Sequence, residues 1–264
     1  FDQPFGDSSA IPTSRIMREM RRHVKVALTG DGGDEFFYGY PLFYFLSKVL
    51  RMRPYLEYLD PAVGGIMQAL VKEESRTYRY IQRFRGYKGS SADEIFADMR
   101  SYMSESGKIS AYSPEGRLYL ESPESSVRLF SPYAEQLLQN PKDAISRWLV
   151  RYSLPGDMLK KVDMMSMREG LEVRVPLLDE SVVSLAESLP ASRKHSGKRG
   201  KLPFRAILNA HLPASVVQRQ KQGFAIPFDS YLDDGARQWL REQLTGKDSV
   251  SMHLFKPKWL SELL

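Results

Sequence analysis

Apolar residues recur along most of the chain with the three- and four-residue spacing of amphipathic helices. The first such stretch follows Pro12, with Thr13 or Ser14 as its cap, and runs to about Arg22. The same spacing predicts ten further helices, at residues 36–50, 61–72, 77–84, 92–103, 134–138, 142–152, 157–168, 181–188, 203–211 and 231–244. The pattern therefore predicts a mostly helical protein.

Residues 24–29 break this spacing. They form the short run Val-Lys-Val-Ala-Leu-Thr, and Gly-Asp-Gly-Gly follows at 30–33. Such a run, ended by glycines, is typical of a buried strand in a parallel sheet. A helix, a strand, a glycine turn and a second helix make an α/β unit, in which ligands bind at the carboxyl ends of the strands. A single strand cannot form a sheet, so we expect its neighbours upstream of Phe1 or on a partner chain.

Two stretches lack regular spacing. Residues 104–132 are rich in Ser, Pro, Glu and Gly, and they are predicted to form a long surface connection. Residues 194–201 carry four basic residues and two glycines, and they are predicted to form a mobile basic loop.

The composition narrows the class of protein. With 42% hydrophobic and 27% charged residues, the 264-residue chain has the balance of a globular protein. It has no apolar run of about 18 residues and no signal-peptide layout, so we expect no membrane span and a cytoplasmic location. The chain does not begin with Met, and we expect it to be part of a longer protein. The absence of cysteine excludes disulfides, thiolate metal sites and a cysteine nucleophile within it.

The net charge of +6 raises the question of a nucleic-acid partner. The basic residues lie in separate clusters, at 15–22, 76–88 and 193–201. A solvated basic surface explains this spread better than dedicated nucleic-acid binding does.

The first candidate site is the turn from Thr29 to Glu35. Its three glycines let the backbone approach a ligand closely, and the N-terminal end of the next helix favours a phosphate. The turn also carries three carboxylates, on Asp31, Asp34 and Glu35, which suit a phosphate site if Mg²⁺ bridges them to the phosphates. A plain strand–helix turn with a capping acid explains the pattern equally well.

The second candidate site covers residues 157–179. At helical spacing, Asp157, Lys160 and Asp163 share a polar face. Further on, Glu172 and Arg174 alternate with apolar residues, as in a half-buried extended segment. For these two residues we favour a structural ion pair over a chemical role.

The third candidate site is the cationic stretch at residues 219–227, Arg-Gln-Lys-Gln-Gly-Phe-Ala-Ile-Pro. Its lysine, Lys221, is suited to supply a compact positive charge to an acyl-phosphate intermediate and to leaving pyrophosphate. Taken alone, the stretch is an ordinary surface loop.

In this order, the three segments resemble the synthetase domain of glutamine-dependent asparagine synthetases. Residues 29–36, with Gly39 and Tyr40, match the family's Ser/Thr-Gly-acid-Gly-x-Asp-Glu turn and the aromatic and Gly-Tyr that follow it. Residues 170–179 match its Gly-x-Glu-x-Arg-x-Pro-x-Leu-Asp segment. Its Arg-x-Lys-x-x-Phe element is matched at 219–224, and residues 2–9 resemble the stretch before its strand. The similarity covers about residues 1–232.

The resemblance implies an α/β fold that is mostly helical. The chain would be a fragment of a PP-loop (nucleotide α-hydrolase) domain and would contain few strands of the parallel sheet of that domain. Residues 1–264 would then be one synthetase-type domain, truncated at its N-terminus and without the phosphate loop Ser-Gly-Gly-x-Asp-Ser and the glutaminase domain. The implied reaction uses ATP and Mg²⁺ to adenylate a carboxylate, releases pyrophosphate, and ends with attack by ammonia made from glutamine. Conversion of aspartate to asparagine is the first expectation.

By position, the resemblance implies roles for nine residues. Those against the nucleotide are Thr29, Gly30 and Gly32, and those for Mg²⁺ are Asp34 and, more weakly, Asp2. The catalytic ones are Asp31 at the reacting centre, Asp157 and Lys160 on the substrate side, and Lys221 at the intermediate.

One departure from the family pattern keeps the substrate open. Asp31 stands where asparagine synthetases often carry glutamate, and a β-lactam-forming relative would carry tyrosine there. The alternatives are an amidotransferase for a sugar acid or peptide in envelope or natural-product synthesis, and a helical binding module without chemistry. Without the phosphate loop, we expect this chain alone to be inactive. The oligomeric state is open, a homodimer included.

Overall fold

The computed structural model describes residues 1, 5–55, 84–118, 126–219, 223–224, 226 and 232–263. The chain divides into two compact units. The first contains Phe1–Pro41 and Ile145–Arg237, and the second contains Leu42–Ala144 and Gln238–Leu264. The helices predicted at 61–72 and 77–84 lie outside the described residues, apart from residue 84.

A short parallel sheet lies in the first unit. Its strands β1 (Val26–Leu28) and β2 (Glu172–Arg174) pair with Val26 opposite Glu172 and Leu28 opposite Arg174. The predicted strand and the predicted extended segment are therefore the two strands of this sheet. The expectation that the neighbours of the strand lie upstream of Phe1 or on a partner chain is wrong for β2, which comes from the same chain. The mostly helical α/β class is confirmed, whereas the assignment to a PP-loop domain stays a prediction.

Two helices, Ala10–Arg21 and Lys160–Arg168, pack on the side of the sheet to which Ala27 points. Met17 of the first helix and Met165 of the second form a buried apolar cluster with Ala27. The first helix begins before the predicted cap, with Pro12 in its first turn. Proline is tolerated there because the first N–H groups of a helix have no partner within the helix.

The chain from residue 141 to residue 168 is helical without a break, although the sequence predicts a gap at 153–156. It runs as an α-helix over Pro141–Trp148, as π-helical turns over Leu149–Leu159, and again as an α-helix over Lys160–Arg168. Pro155 would interrupt the hydrogen bonds of an α-helix. The wider π-helical turns let the chain continue past it.

The helix predicted at 36–50 is broken. Gly33–Phe36 forms one short helix, and Leu42–Met52 forms another. Between them, Tyr38 has a φ of 57°, which an α-helix cannot include. The first unit also contains Glu180–Ser188, Ala191–Lys194, Leu202–Leu208, Ala214–Val217 and the 3₁₀ turn Pro176–Leu178.

The regular elements in the described part of the second unit are helices and 3₁₀ turns. Its helices are Leu42–Met52, Ala92–Arg100, Glu105–Ala111, Pro114–Leu118, Ala134–Gln139, Val250–Leu254 and Pro257–Leu263, with 3₁₀ turns at Arg53–Tyr55, Ser126–Leu129 and Ser131–Tyr133. Asp234–Thr245 spans the division between the units.

The predicted surface connection at 104–132 is wrong, because two helices lie in its first half. Its serines cap and anchor these helices. The Ser104 hydroxyl accepts from the N–H of Gly107 at 3.1 Å, and the Ser113 hydroxyl donates to the carbonyl of His253 at 2.5 Å. None of the helices in the described ranges has the length and apolar character needed to cross a bilayer.

Candidate active site

The predicted glycine turn lies at the carboxyl end of β1. The N–H of Thr29 donates to the carbonyl of Arg174 at 2.9 Å, so the first residues beyond β1 and β2 are neighbours. Gly32 has a φ of 87°, and a Cβ built on it would overlap the side chain of Leu178. Glycine is therefore required there, both for its backbone conformation and for the close approach of the chain that follows β2.

Two side chains of the turn have hydrogen-bonding capacity that no described residue uses. The hydroxyl Oγ1 of Thr29 is buried and has no hydrogen-bond partner in the described part of the chain. Asp31 is half-buried, and its carboxylate forms no hydrogen bond or ion pair with described residues. A Cβ built on Gly30 would meet nothing within 4 Å. The turn thus offers a hydroxyl, a carboxylate and open space beside the backbone.

The helix that follows the glycine turn contributes little positive charge to the candidate site. The helix that follows the turn, Gly33–Phe36, has only four residues. The dipole of a helix grows from aligned peptide groups, so a single turn supplies little of the positive end that was expected for a phosphate. Charge at this site comes from side chains instead.

The main charged contact of the site joins Asp34 and Lys201, 2.9 Å apart between Oδ1 and Nζ. Their side chains are 23% and 34% exposed, so both reach the surface of the site. Gly39 lies directly against this pair, because a Cβ built on it would overlap the Asp34 carboxylate. The sequence predicted Asp34 as a site residue but missed Lys201. The available signal was that a partly buried carboxylate needs a cationic partner.

The basic stretch at 194–201 is anchored, contrary to the prediction of a mobile loop. Lys194 and His195 are buried, and Ser196 pairs with Arg199 in a short antiparallel bridge. The N–H of Lys201 donates to the carbonyl of Phe37 at 2.8 Å. The backbone at Lys201 is therefore fixed on the segment that follows the glycine turn.

Glu35 has a structural position. It is 2% exposed, and its carboxylate accepts a 2.5 Å hydrogen bond from the hydroxyl of Tyr40. Its carbonyl accepts from the hydroxyl of Ser146 at 2.8 Å. Glu35 therefore holds the Gly39–Tyr40 segment in place.

Asp157 and Lys160 lie on one helical turn, as predicted. The N–H of Lys160 donates to the carbonyl of Asp157, and both side chains are half-buried. The residues between them, Met158 and Leu159, pack against the apolar cluster that contains Phe36 and its neighbours. This cluster therefore anchors both the turn and the second candidate segment. Asp163, by contrast, is exposed.

A second charged pair, missed by the sequence analysis, lies next to Lys160. The ammonium of Lys161 is 2.6 Å from Asp7 Oδ2 and 2.7 Å from the hydroxyl of Ser9. Burial alone would raise the pKa of Asp7, but the hydrogen bonds from Lys161 and Ser9 together outweigh it and lower the pKa. This pair ties residues 7–9 to the start of the Lys160–Arg168 helix.

The predicted Glu172–Arg174 ion pair is confirmed, with 2.5 Å between Oε1 and an arginine nitrogen. Both side chains are more than half exposed. An exposed pair of this kind contributes about 0–1 kcal/mol, so it steadies β2 without fixing the fold.

The remaining predicted residues, Lys221 and Asp2, lie outside the described residues. Within the described residues, no three His, Asp or Glu side chains are grouped to hold a metal ion. Mg²⁺ that binds with nucleotide phosphates commonly uses one or two carboxylates. Asp34, at the surface of the site, can supply one.

A glycine turn with a carboxylate and a lysine, placed at the carboxyl ends of parallel strands, is a ligand site of the α/β class. The chain belongs to the asparagine synthase family, whose family model matches residues 1–264. This match confirms the resemblance found in the sequence.

Several curated relatives are similar to this chain. A protein of Mycobacterium tuberculosis named putative asparagine synthetase (glutamine-hydrolyzing) is 30% identical over 91% of this chain and 34% of its own length. Asparagine synthetase (glutamine-hydrolyzing) 1 of Bacillus subtilis is 26% identical over 91% of this chain and 37% of its own length. The chain thus spans about a third of the relatives it matches. No solved structure matches it.

Proposed function

We propose that the protein carrying this chain is an ATP-dependent ligase that amidates a carboxylate, converting aspartate to asparagine with ammonia from glutamine. The observation that carries the proposal is the pair of Asp34 and Lys201 at the turn that follows β1, a turn that also carries the buried hydroxyl of Thr29. Membership of the asparagine synthase family supports the class of reaction. The names of the relatives support asparagine as product and glutamine as nitrogen source.

In the proposed reaction, an oxygen of the substrate carboxylate attacks the α-phosphorus of ATP. The bond between this phosphorus and the bridging oxygen breaks, pyrophosphate leaves, and an acyl-adenylate remains. Ammonia then attacks the acyl carbon, AMP leaves, and the nitrogen loses a proton. Negative charge builds on the phosphate oxygens in the first step, and a fixed ammonium such as that of Lys201 stabilises it.

The other site residues have distinct proposed roles. Thr29 donates a hydrogen bond from its hydroxyl to the nucleotide. Gly30 and Gly32 let the phosphates approach the backbone. Asp34 would hold Mg²⁺, and the bound ion would supply positive charge against the leaving pyrophosphate. Asp31, Asp157 and Lys160 face the acceptor carboxylate and ammonia.

The test compares two lysines in the complete natural polypeptide that carries this chain. Release of pyrophosphate from ATP is measured with aspartate and ammonia. We expect Lys201→Met to lower the rate about 100-fold, the scale for removal of one preorganised donor. Lys221→Met tests the lysine predicted from the sequence, and wild-type activity in that variant would remove Lys221 from the mechanism.

The control is Lys258→Met, because Lys258 is 89% exposed and lies in the second unit. We expect it to leave the rate unchanged.

A panel of sugar acids and peptides in place of aspartate tests the alternative acceptors. Folded wild-type protein that releases no pyrophosphate with any carboxylate would overturn the proposed function.

A further inference from the structure

Tyr38 has an unfavourable backbone conformation next to the proposed site. Its φ is 57°, in the left-handed region that non-glycine residues avoid because the Cβ lies close to the backbone. Its side chain is 1% exposed. Backbone strain of this kind persists only where the surrounding structure holds it in place, and it occurs often at functional sites.

Lys194 supplies part of that support. Its ammonium lies 4.3 Å from the centroid of the Tyr38 ring, within the range of a cation–π contact. It also donates to the carbonyl of Ala186 at 3.1 Å, and the residue is 5% exposed. A buried ammonium is unfavourable unless it is compensated, so these contacts fix both the lysine and the ring.

The same backbone carries the contacts that hold Lys201. The N–H of Lys201 donates to the carbonyl of Phe37, immediately before Tyr38. Gly200 lies against the carbonyl of Tyr38, and a Cβ built on Gly200 would overlap that oxygen. The turn that carries Lys201 is therefore fitted onto the backbone of Phe37 and Tyr38.

We propose that Lys194 and Tyr38 form a clamp that sets the position of the Lys201 ammonium beside the Asp34 carboxylate. Lys194 contacts the Tyr38 ring and acts on Lys201 through it, so it is a positioning residue. The geometric part of the proposal concerns Lys201 alone. Its effect on catalysis rests on the proposed function.

The geometric part is tested by chemical labelling of lysines in the complete polypeptide, with mass spectrometry to measure the rate at Lys201. Lys194→Met removes the cation and keeps a linear side chain. We expect it to raise the labelling rate of Lys201 by about two- to fivefold, the range for loss of a partly exposed ion pair. Lys194→Arg, which keeps a cation able to stack on the ring, is expected to restore the wild-type rate.

The matched control is Arg193→Met, since Arg193 is exposed on the same short helix. We expect no change at Lys201 in this variant. If Lys194→Met fails to fold, Tyr38→Leu removes the ring and leaves the lysine. An unchanged labelling rate at Lys201 in either folded variant would overturn the clamp, whatever the activity of the enzyme.

The kinetic part separates positioning from general stability. We expect Lys194→Met to lower kcat for amide formation by about 10- to 100-fold, since a displacement of about 1 Å costs on that order. The KM for ATP is expected to stay within about twofold, because the contact acts on the transition state.

In a Lys201→Met background, Lys194→Met is expected to cause no further loss. Losses that multiply in the double variant would show that Lys194 does not act through Lys201, whereas an inactive wild type would count against the proposed function alone.

Discussion

Lys160 and Lys161 differ in environment although they are adjacent in the sequence. Lys161 is 7% exposed and its ammonium contacts Asp7 and Ser9. Lys160 is half-buried, and its ammonium forms no ion pair with described residues. Of these two lysines, Lys160 is therefore the one available for a substrate, while Lys161 secures the helix that carries both.

The first prediction concerns the Asp7 carboxylate. Asp7→Asn leaves the buried ammonium of Lys161 without its counter-charge, so we expect the free energy of unfolding at pH 7 to fall by about 3 kcal/mol. The pKa of Asp7 is lowered in the folded protein, so its ionised form stabilises the fold above the unfolded pKa near 4. This stabilisation is lost as the pH falls through the lowered pKa. Urea unfolding at a series of pH values from 7 to 2 measures both effects.

The comparison between pH values distinguishes charge from packing. We expect the difference between wild type and Asp7→Asn to be largest at neutral pH and to shrink below about pH 4. Glu180→Gln, a change at an exposed acid, is the control and is expected to have no such dependence. An equal loss at every pH would contradict the assigned role of the charge.

At the scale of elements, two glycines near the turn differ in the space that a side chain would have. A Cβ on Gly39 would overlap the Asp34 carboxylate, while a Cβ on Gly30 would meet nothing within 4 Å. Gly39 is therefore needed for the Asp34–Lys201 contact, and Gly30 is not needed for packing. The expected defects of the two alanine variants are correspondingly different.

We predict that Gly39→Ala lowers stability by about 1–3 kcal/mol, the range for overpacking, and also lowers activity. Gly30→Ala is expected to leave the thermal midpoint unchanged and to weaken ATP binding, because a methyl group enters the space proposed for the nucleotide. Thermal unfolding and a nucleotide-binding titration of the complete polypeptide measure the two effects. Normal ATP affinity in folded Gly30→Ala would remove Gly30 from the binding site.

The spacing of apolar residues correctly predicted those helices and strands that depend mainly on their own local sequence. β1 and the helices near 92–103, 134–138 and 181–188 are present with shifted ends, because each has its own apolar pattern and flanking turn signals. The break after Phe36 was not predictable in this way. It depends on a positive φ at Tyr38, which Lys194 supports from a distant part of the chain.

The residues of the candidate site likewise fall into a group that local sequence predicts and a group that it does not. The glycine turn was recognisable because all its residues are consecutive, and its place at the carboxyl end of β1 follows from the α/β order. The partners Lys201 and Asp7 were missed because each pairs with a residue far away in sequence, Asp34 and Lys161 respectively. Residue type and spacing show that a carboxylate needs a partner but do not show which cation supplies it.

At the scale of the whole molecule, the side of β1 opposite Ala27 exposes apolar side chains. Val26 and Leu28 are 46% and 69% exposed on the side of the strand opposite Ala27. The sheet has two strands within the described residues, and three or more are usually needed for a sheet to be stable by itself. Apolar side chains exposed together on one side of a strand are typical of a surface that another polypeptide segment covers.

The last prediction concerns the chain of residues 1–264 by itself. It contains the turn, Asp34 and Lys201, but no Ser-Gly-Gly-x-Asp-Ser segment. The backbone N–H groups of such a loop hold the nucleotide phosphates, so we expect the isolated chain to bind ATP weakly and to release no pyrophosphate, even with free ammonia. Circular dichroism must first show that the chain is helical, because an unfolded chain would be inactive for a trivial reason. Measurable, aspartate-dependent release of pyrophosphate by the folded chain would show instead that the turn and Lys201 are sufficient to position ATP.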